Sequence, residues 1–120
     1  MAYVNFEDLK GMTLIKIEQK GTDELHFYTG DNRHFVLLHY QDCCERVEIE
    51  DICGDLNTLL YTPILLAEVS TKKGNSEWES ETWTFYKLST IKGDVTIRWY
   101  GASNGYYSEE VSFVEYEGAH

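Results

Sequence analysis

The sequence predicts an α+β fold that consists mainly of antiparallel β-sheet, with about seven strands and one short helix. Three observations predict this class: β-branched and aromatic residues recur in short alternating runs, Gly, Asn and Asp separate the runs, and a single window has helical spacing. The chain has 120 residues, 42% of them hydrophobic, and one proline. That length and apolar content suit one core, so we expect a single domain over residues 1–120.

The first half of the chain is predicted to form strands over 12–19, 24–29 and 34–40. The run 12–19 is rich in β-branched residues, which favour strands. The next two runs are separated by Gly-Asp-Asn-Arg at 30–33, and these residues tolerate the positive φ angles of tight turns. We therefore expect a hairpin over 24–40. The alternating segment 47–50 predicts one more short strand.

One window has helical spacing. Its apolar residues are Ile52, Leu56, Leu59 and Leu60. Asp51 precedes them as a candidate N-cap, and Thr62-Pro63 follows as a stop signal. The pattern predicts a short helix over about 51–60.

The second half is predicted to form a strand over 64–71, a mobile polar loop over 72–76, and then a three-stranded antiparallel meander. The meander strands are 78–91, 95–100 and 106–116. In the central strand, alternation places Val95, Ile97 and Trp99 on one face and Thr96, Arg98 and Tyr100 on the other. The residues that we expect in the core of this region are Trp83, Phe85, Ile97 and Val111.

The charge balance excludes one class of function. There are 21 acidic and 10 basic residues, so the formal net charge is −11. A wide surface for DNA or RNA polymers is therefore not expected, because neutralising phosphates requires clustered Lys and Arg.

The longest apolar runs are only a few residues long, far short of a membrane span. The N-terminus also lacks the features of a secretory signal, so we expect a cytoplasmic protein.

The three cysteines predict neither a disulfide framework nor a metal site. Cys43, Cys44 and Cys53 are an odd number in a chain without an export signal, so we expect them to be reduced. His39 precedes Cys43 by four positions, but adjacent cysteines on a strand point to opposite faces, so at most one of Cys43 and Cys44 could share a tetrahedral site with His39 unless the segment turns. Asp42 and Glu45 would raise the pKa of a neighbouring thiol, which disfavours a catalytic cysteine. We expect no metal, no cofactor and no catalytic residue.

An acidic band lies around these cysteines. Its members are Asp42, Glu45, Glu48, Glu50, Asp51 and Asp55. Paired carboxylates can act as general acid and base, or can hold Mg²⁺ with a substrate phosphate. The simpler interpretation is a solvated charged face. A second acidic strip, Glu77, Glu79 and Glu81, is suited to contact with a basic protein surface.

The segment 98–109 is the best candidate for a small-ligand site. Arg can pair with a phosphate, Trp and Tyr can stack on a base, and a Gly/Ser/Asn turn exposes backbone donors. The same residues also suit an ordinary hairpin that turns at Asn104-Gly105, and no Walker-type glycine motif is present. The candidate ligand-binding residues are Arg98, Tyr100, Ser103, Asn104 and Tyr106, with Asp42 and Glu45 as contributors.

Four segments carry a resemblance to a known group of proteins. They are Gln41-Asp42-Cys43-Cys44-Glu45, the run Ile49-Glu50-Asp51-Ile52 with Gly54-Asp55-Leu56, Thr82 to Leu88, and Ile97 to Glu109. Over residues 12–115 the sequence resembles a family of small uncharacterised proteins encoded by bacteriophages and prophages. The resemblance implies a phage setting and a compact single domain, and it transfers no catalytic residue.

A phage setting favours a non-enzymatic protein that counters host antiviral defence in the bacterial cytoplasm. One hypothesis is that the protein sequesters a nucleotide immune signal in pockets of a homo-oligomer. A second is that the acidic chain occludes a basic surface of a host defence protein or nuclease. A third is a minor virion or structural component.

Overall fold

The computed structural model describes residues 2–75, 80–105 and 107–116. Over these residues the chain forms nine strands and two short 3-10 turns. The strands are β1 (Ala2–Tyr3), β2 (Leu14–Lys20), β3 (Glu24–Thr29), β4 (His34–Leu38), β5 (Arg46–Cys53), β6 (Leu66–Asn75), β7 (Ser80–Thr90), β8 (Gly93–Ser103) and β9 (Ser112–Tyr116). The turns are Phe6–Leu9 and Leu56–Leu59.

The strands form two antiparallel sheets. Sheet 1 has the order β1-β9-β4-β3-β2, and sheet 2 has the order β5-β8-β7-β6. One apolar core contains buried side chains from both sheets, with Phe27 and Phe35 from sheet 1 and Ile97 and Trp99 from sheet 2. The ring of Phe6 joins the sheets at one end, since its centroid lies 4.8 Å from that of Tyr86 and 5.3 Å from that of Phe113. The inner face of each sheet is therefore the face that covers this core.

The predicted hairpin over 24–40 is confirmed. β3 pairs with β4, and Phe27 lies opposite Phe35. Asn32 lies in the turn with a φ of 71°, a conformation that Asn adopts more readily than most residues. Local turn chemistry was sufficient here because the two paired strands are neighbours in sequence.

The predicted helix over 51–60 is wrong, and the fold is mainly β. Residues 46–53 form β5, whose Val47 and Ile49 face the core. Only one 3-10 turn follows, and the carboxylate of Asp55, not that of Asp51, accepts a hydrogen bond from the Asn57 amide at 2.9 Å. Pairing with β8 overrides the helical spacing, because it supplies backbone hydrogen bonds that local pattern cannot reveal. Within the described residues, no helix has the length and apolarity to cross a bilayer.

The predicted three-stranded meander is correct for two strands and wrong for the third. β7 and β8 form a long hairpin, but β9 belongs to sheet 1, where it pairs with β4 and β1. After Ser103 the chain crosses to the other sheet, where Phe113 enters the core.

The predicted mobile loop is also wrong over 72–75, since these residues extend β6; Ser76 lies outside the described residues.

Candidate functional site

A shallow groove of about 280 Å³ lies on the outer face of sheet 2. It is lined by Glu50, Lys72, Trp83, Phe85 and Arg98. Strand alternation brings these side chains together, because Lys72 of β6 lies opposite Trp83 of β7, and Phe85 of β7 lies opposite Arg98 of β8. Two cations, one carboxylate and two aromatic rings therefore line the same groove.

Aromatic rings form one side of this groove. The centroids of Trp83 and Tyr100 are 5.4 Å apart with planes inclined at 55°, and the Tyr100 hydroxyl donates to Glu81 at 2.8 Å. The Trp83 indole lies against Gly74, where an added Cβ would come within 2.8 Å of the ring. The prediction that Trp83 and Phe85 belong to the core is wrong: both are half-buried on the outer face, whereas Ile97 is fully buried and Val111 packs partly buried against the core.

The charge of Arg98 is balanced by two carboxylates. Its Nε lies 2.7 Å from Oε1 of Glu50, and its Nη2 lies 3.8 Å from Oδ2 of Asp51. Both carboxylates reach one guanidinium because the β5–β8 register shifts between Ile49 and Asp51, so that Glu50 is an extra residue in the strand. The buried Nε makes an ion pair with Glu50, but its N–H direction does not meet hydrogen-bond geometry. The groove thus has nearly balanced charge in a strongly acidic protein.

The sequence-based set of ligand residues is divided by the sheet. Arg98 and Tyr100 lie on the outer face, but Ser103 is buried on the opposite face. Asn104 follows in the turn beyond β8 and is exposed, and Tyr106 lies outside the described residues. The structure therefore does not bring Ser103 together with Arg98 and Tyr100, because residues at even and odd positions of a strand point to opposite faces.

On the inner face of sheet 2, a cleft of about 640 Å³ opens between the two sheets. It is lined by inward-facing residues of β6 and β7, by the N-terminal segment and by the segment after β8. Its polar lining includes Glu7, Lys73, Thr82, Tyr86, Glu109 and Glu110, and Phe6 and Phe113 are apolar neighbours.

Glu109 is held at this cleft by two hydroxyl groups. Thr82 Oγ1 donates to its Oε1 at 2.8 Å, and Ser103 Oγ donates to its Oε2 at 2.5 Å. Ser103 Oγ also accepts from the Gly105 amide at 3.1 Å. Gly101 leaves room for the side chain, since a Cβ added there would lie 2.9 Å from the Cβ of Glu109. The segment after β8 is thus fixed to sheet 2 by a hydrogen-bonded carboxylate.

Asp42 and Glu45, the predicted contributors to the site, instead organise a loop. The Glu45 side chain is fully buried and accepts from His39 Nε2 at 2.9 Å and from the amides of Asp42 and Cys43 at 2.9 Å each. Burial raises the pKa of Glu45, but the hydrogen bonds from backbone amides and from His39 outweigh it and lower the pKa to about 2. Neither residue lines the outer groove, so Glu45 acts as a structural anchor.

The same loop corrects the cysteine prediction. Cys43 and Cys44 are joined by a disulfide in the structure, and Cys53 is free and exposed. The expectation of three reduced thiols is therefore wrong for the adjacent pair. Across the described ranges, no three His, Cys, Asp or Glu side chains converge as a metal-binding group.

The predicted ligand set lacks four of the groove residues: Glu50, Lys72, Trp83 and Phe85. Glu50 was interpreted as part of a solvated acidic band, Lys72 was assigned to a loop, and the two aromatic residues were assigned to the core. The alternation of side chains along β7 offered a signal, because it places Tyr86 and Leu88 on one face and Trp83 and Phe85 on the other. Only one of these faces can cover the core, and in the structure it is the face of Tyr86 and Leu88.

Comparison with known proteins identifies a family and no activity. A family model described as a domain of unknown function, DUF7448, matches residues 7–113. No curated protein and no solved structure gives a significant match. Because the matched region covers most of the 120 residues, the chain belongs to the DUF7448 family.

Proposed function

We propose that this protein is a non-enzymatic binding protein that sequesters a nucleotide in the groove on the outer face of sheet 2. The observation that carries the proposal is the convergence of Lys72 and Arg98 beside the rings of Trp83 and Phe85. Aromatic side chains stack on bases, and Arg and Lys bind phosphate oxygens. A mononucleotide or a small cyclic nucleotide combines both groups.

The ion pair at Arg98 supports a ligand whose phosphate would take the place of a carboxylate at the guanidinium. A phosphate that approaches the guanidinium would replace Glu50, whose carboxylate is 39% exposed and free to turn towards solvent. Arg98 Nε then gains the hydrogen bond that its present geometry does not provide. Lys72, from the neighbouring strand pair, supplies a second positive charge.

The proposed role follows from the phage setting that the sequence resemblance implies. A small protein that holds a nucleotide immune signal lowers its free concentration and so counters host defence without chemistry. Sequestration requires a binding site and enough copies of the protein, and it needs no catalytic group. Assembly into a homo-oligomer would give each oligomer several nucleotide-binding sites.

Thermal shift measurements test the proposal. Cyclic mononucleotides, cyclic dinucleotides and ADP-ribose are each added to the wild-type protein, and a ligand that binds the native state raises the melting temperature. Arg98→Met and Lys72→Met should abolish the shift. The matched control is Lys87→Met, which removes a positive charge from the same face of β7 outside the groove, and it should retain the shift. If no nucleotide shifts the wild-type protein, the proposal is wrong.

A second candidate function is occlusion of a basic surface on a host defence protein. The observation that favours it is the edge position of β5, along which Glu48, Glu50 and Asp51 lie. Retention of a host nuclease or defence complex by the immobilised protein at low salt, and its release at high salt, would support this function. A Glu48→Gln/Asp51→Asn double variant should then lose retention, whereas Arg98→Met should not.

A further inference from the structure

We infer that the cleft between the two sheets is a second binding site, which takes an organic cation with an ammonium or guanidinium group. This inference does not rest on the proposed nucleotide site, because the groove and the cleft lie on opposite faces of sheet 2. The cleft volume of about 640 Å³ lies in the range of small-molecule sites, roughly 300–1,000 Å³.

The charge of the cleft selects the class of ligand. Among the described residues its lining contains three carboxylates, Glu7, Glu109 and Glu110, and one ammonium, Lys73. No ion pair within the described residues joins Lys73 to these carboxylates. A phosphate would be repelled at such a site, whereas a cation gains from every carboxylate.

Tyr86 adds a polar group to the wall of the cleft. The residue is only 4% exposed and lines the cleft, and within the described residues its hydroxyl makes no hydrogen bond. Burial, together with the charges of Glu7 and Glu110, raises its pKa well above the ordinary value, so the hydroxyl remains a neutral phenol. The hydroxyl oxygen is not a buried unsatisfied atom, so it is open to the water of the cleft, and it can accept an N–H from a ligand that displaces this water.

The remaining walls suit the same ligand. Phe6, Phe113 and the Tyr86 ring provide aromatic surface on which a cation is stabilised. Glu109 is fixed in place by Thr82 and Ser103, so one carboxylate is already oriented before the ligand arrives. The site thus combines an oriented acceptor, an unpartnered hydroxyl and aromatic surface.

Isothermal titration calorimetry tests this inference on the full chain at low salt. Two probes distinguish the sources of the cation: agmatine represents a free amine, and an acetylated, amidated Gly-Arg-Gly peptide represents a protein side chain. Binding of either probe supports the site, and the tighter probe identifies the source. If neither probe releases or absorbs heat on titration, the inference is wrong.

Variants locate the binding. Tyr86→Phe keeps the ring and its packing. Tyr86→Phe and Glu110→Gln should each lower the affinity for the probe by about tenfold, as expected for loss of a hydrogen bond or of a negative charge next to a cation. Lys73→Met should raise the affinity. The control Glu68→Gln makes the same charge change on the other face of β6 and should leave affinity unchanged. Binding that persists unchanged in both Tyr86→Phe and Glu110→Gln would overturn the assignment, and a thermal melt of each variant verifies that it is folded.

Discussion

The two faces of sheet 2 differ in the burial and polarity of their side chains, although the same strands form both. On the outer face, Trp83 and Phe85 remain half-exposed beside the charged side chains of Lys72 and Arg98. On the inner face, Trp99 is fully buried in the core, and the hydroxyl groups of Thr82 and Ser103 lie at the end near Glu109. In β8, the buried Trp99 therefore directly follows Arg98, which lines the groove proposed to bind a nucleotide.

This difference explains why substitutions on the two faces should have opposite consequences. Inner-face residues contact many partners from both sheets, so their loss costs folding free energy. Outer-face residues contact few partners and are partly hydrated, so their loss should leave the fold intact and remove binding.

The largest effect is expected at Trp99. Trp99→Ala removes a fully buried indole and should lower the free energy of unfolding by ~3–5 kcal/mol. Trp83→Ala, on the other face, should lower it by only about 1 kcal/mol. Urea unfolding followed by circular dichroism measures both. Equal losses at the two positions would show that the outer face is part of the core.

The second effect concerns Glu45. Its folded-state pKa is lowered from 4.5 to about 2, so the unfolded chain binds this proton more readily. The stabilisation it provides is complete above pH 4.5 and is lost as the pH falls from 4.5 towards 2.

Melting temperatures over this pH window test the assignment. Glu45→Gln should melt lower than wild type at neutral pH and should lose less stability on acidification. Glu18→Gln, at a carboxylate that is 40% exposed, serves as the control and should follow the wild-type pH dependence. If Glu45→Gln and wild type show parallel pH profiles, the pKa assignment is incorrect.

A smaller loss of stability is expected at Gly101, against which Glu109 packs. Gly101→Ala places a methyl group 2.9 Å from the Cβ of Glu109 and should destabilise the protein by ~1–3 kcal/mol through overpacking. Gly30→Ala is the matched control, since its added Cβ would meet Ile15 at an ordinary 3.6 Å. Denaturant midpoints that coincide for the two variants would contradict the close packing at Glu109.

The smallest effect on stability is expected at Arg98. Its ion pairs are partly exposed, with 38% of the Arg98 side chain accessible, so Arg98→Met should change stability by less than about 1 kcal/mol. Nucleotide binding should nevertheless be lost. A variant that both unfolds and loses binding would place Arg98 among the structural residues.

Sequence reasoning succeeded where pairing is local. The hairpin over 24–40 and the β7–β8 hairpin follow from turn residues and alternation between neighbouring strands. It failed at 51–60, because pairing of β5 with β8 joins segments about 50 residues apart, and a short apolar run has no unique period. It failed at β9 for the same reason, since the partner β4 lies far upstream.

The candidate site was predictable only in part. Arg98 and Tyr100 were correctly placed on one face by parity, and the same parity separates them from Ser103. Lys72 could not be recognised, because its neighbours in the groove come from other strands and the polar run 72–76 lacks periodicity. Glu45 carried no local sign of burial, since its partner His39 meets it only through the folded loop.

A backbone amide NMR titration of the wild-type protein, with the nucleotide that gives the largest thermal shift, tests directly whether the outer groove is the binding site. Binding in the outer groove predicts chemical shift changes centred on residues 50, 72, 83, 85 and 98, which surround it. Changes centred on Tyr86 and on the segment 107–111, which line the cleft, would contradict it, as would the absence of any localised change.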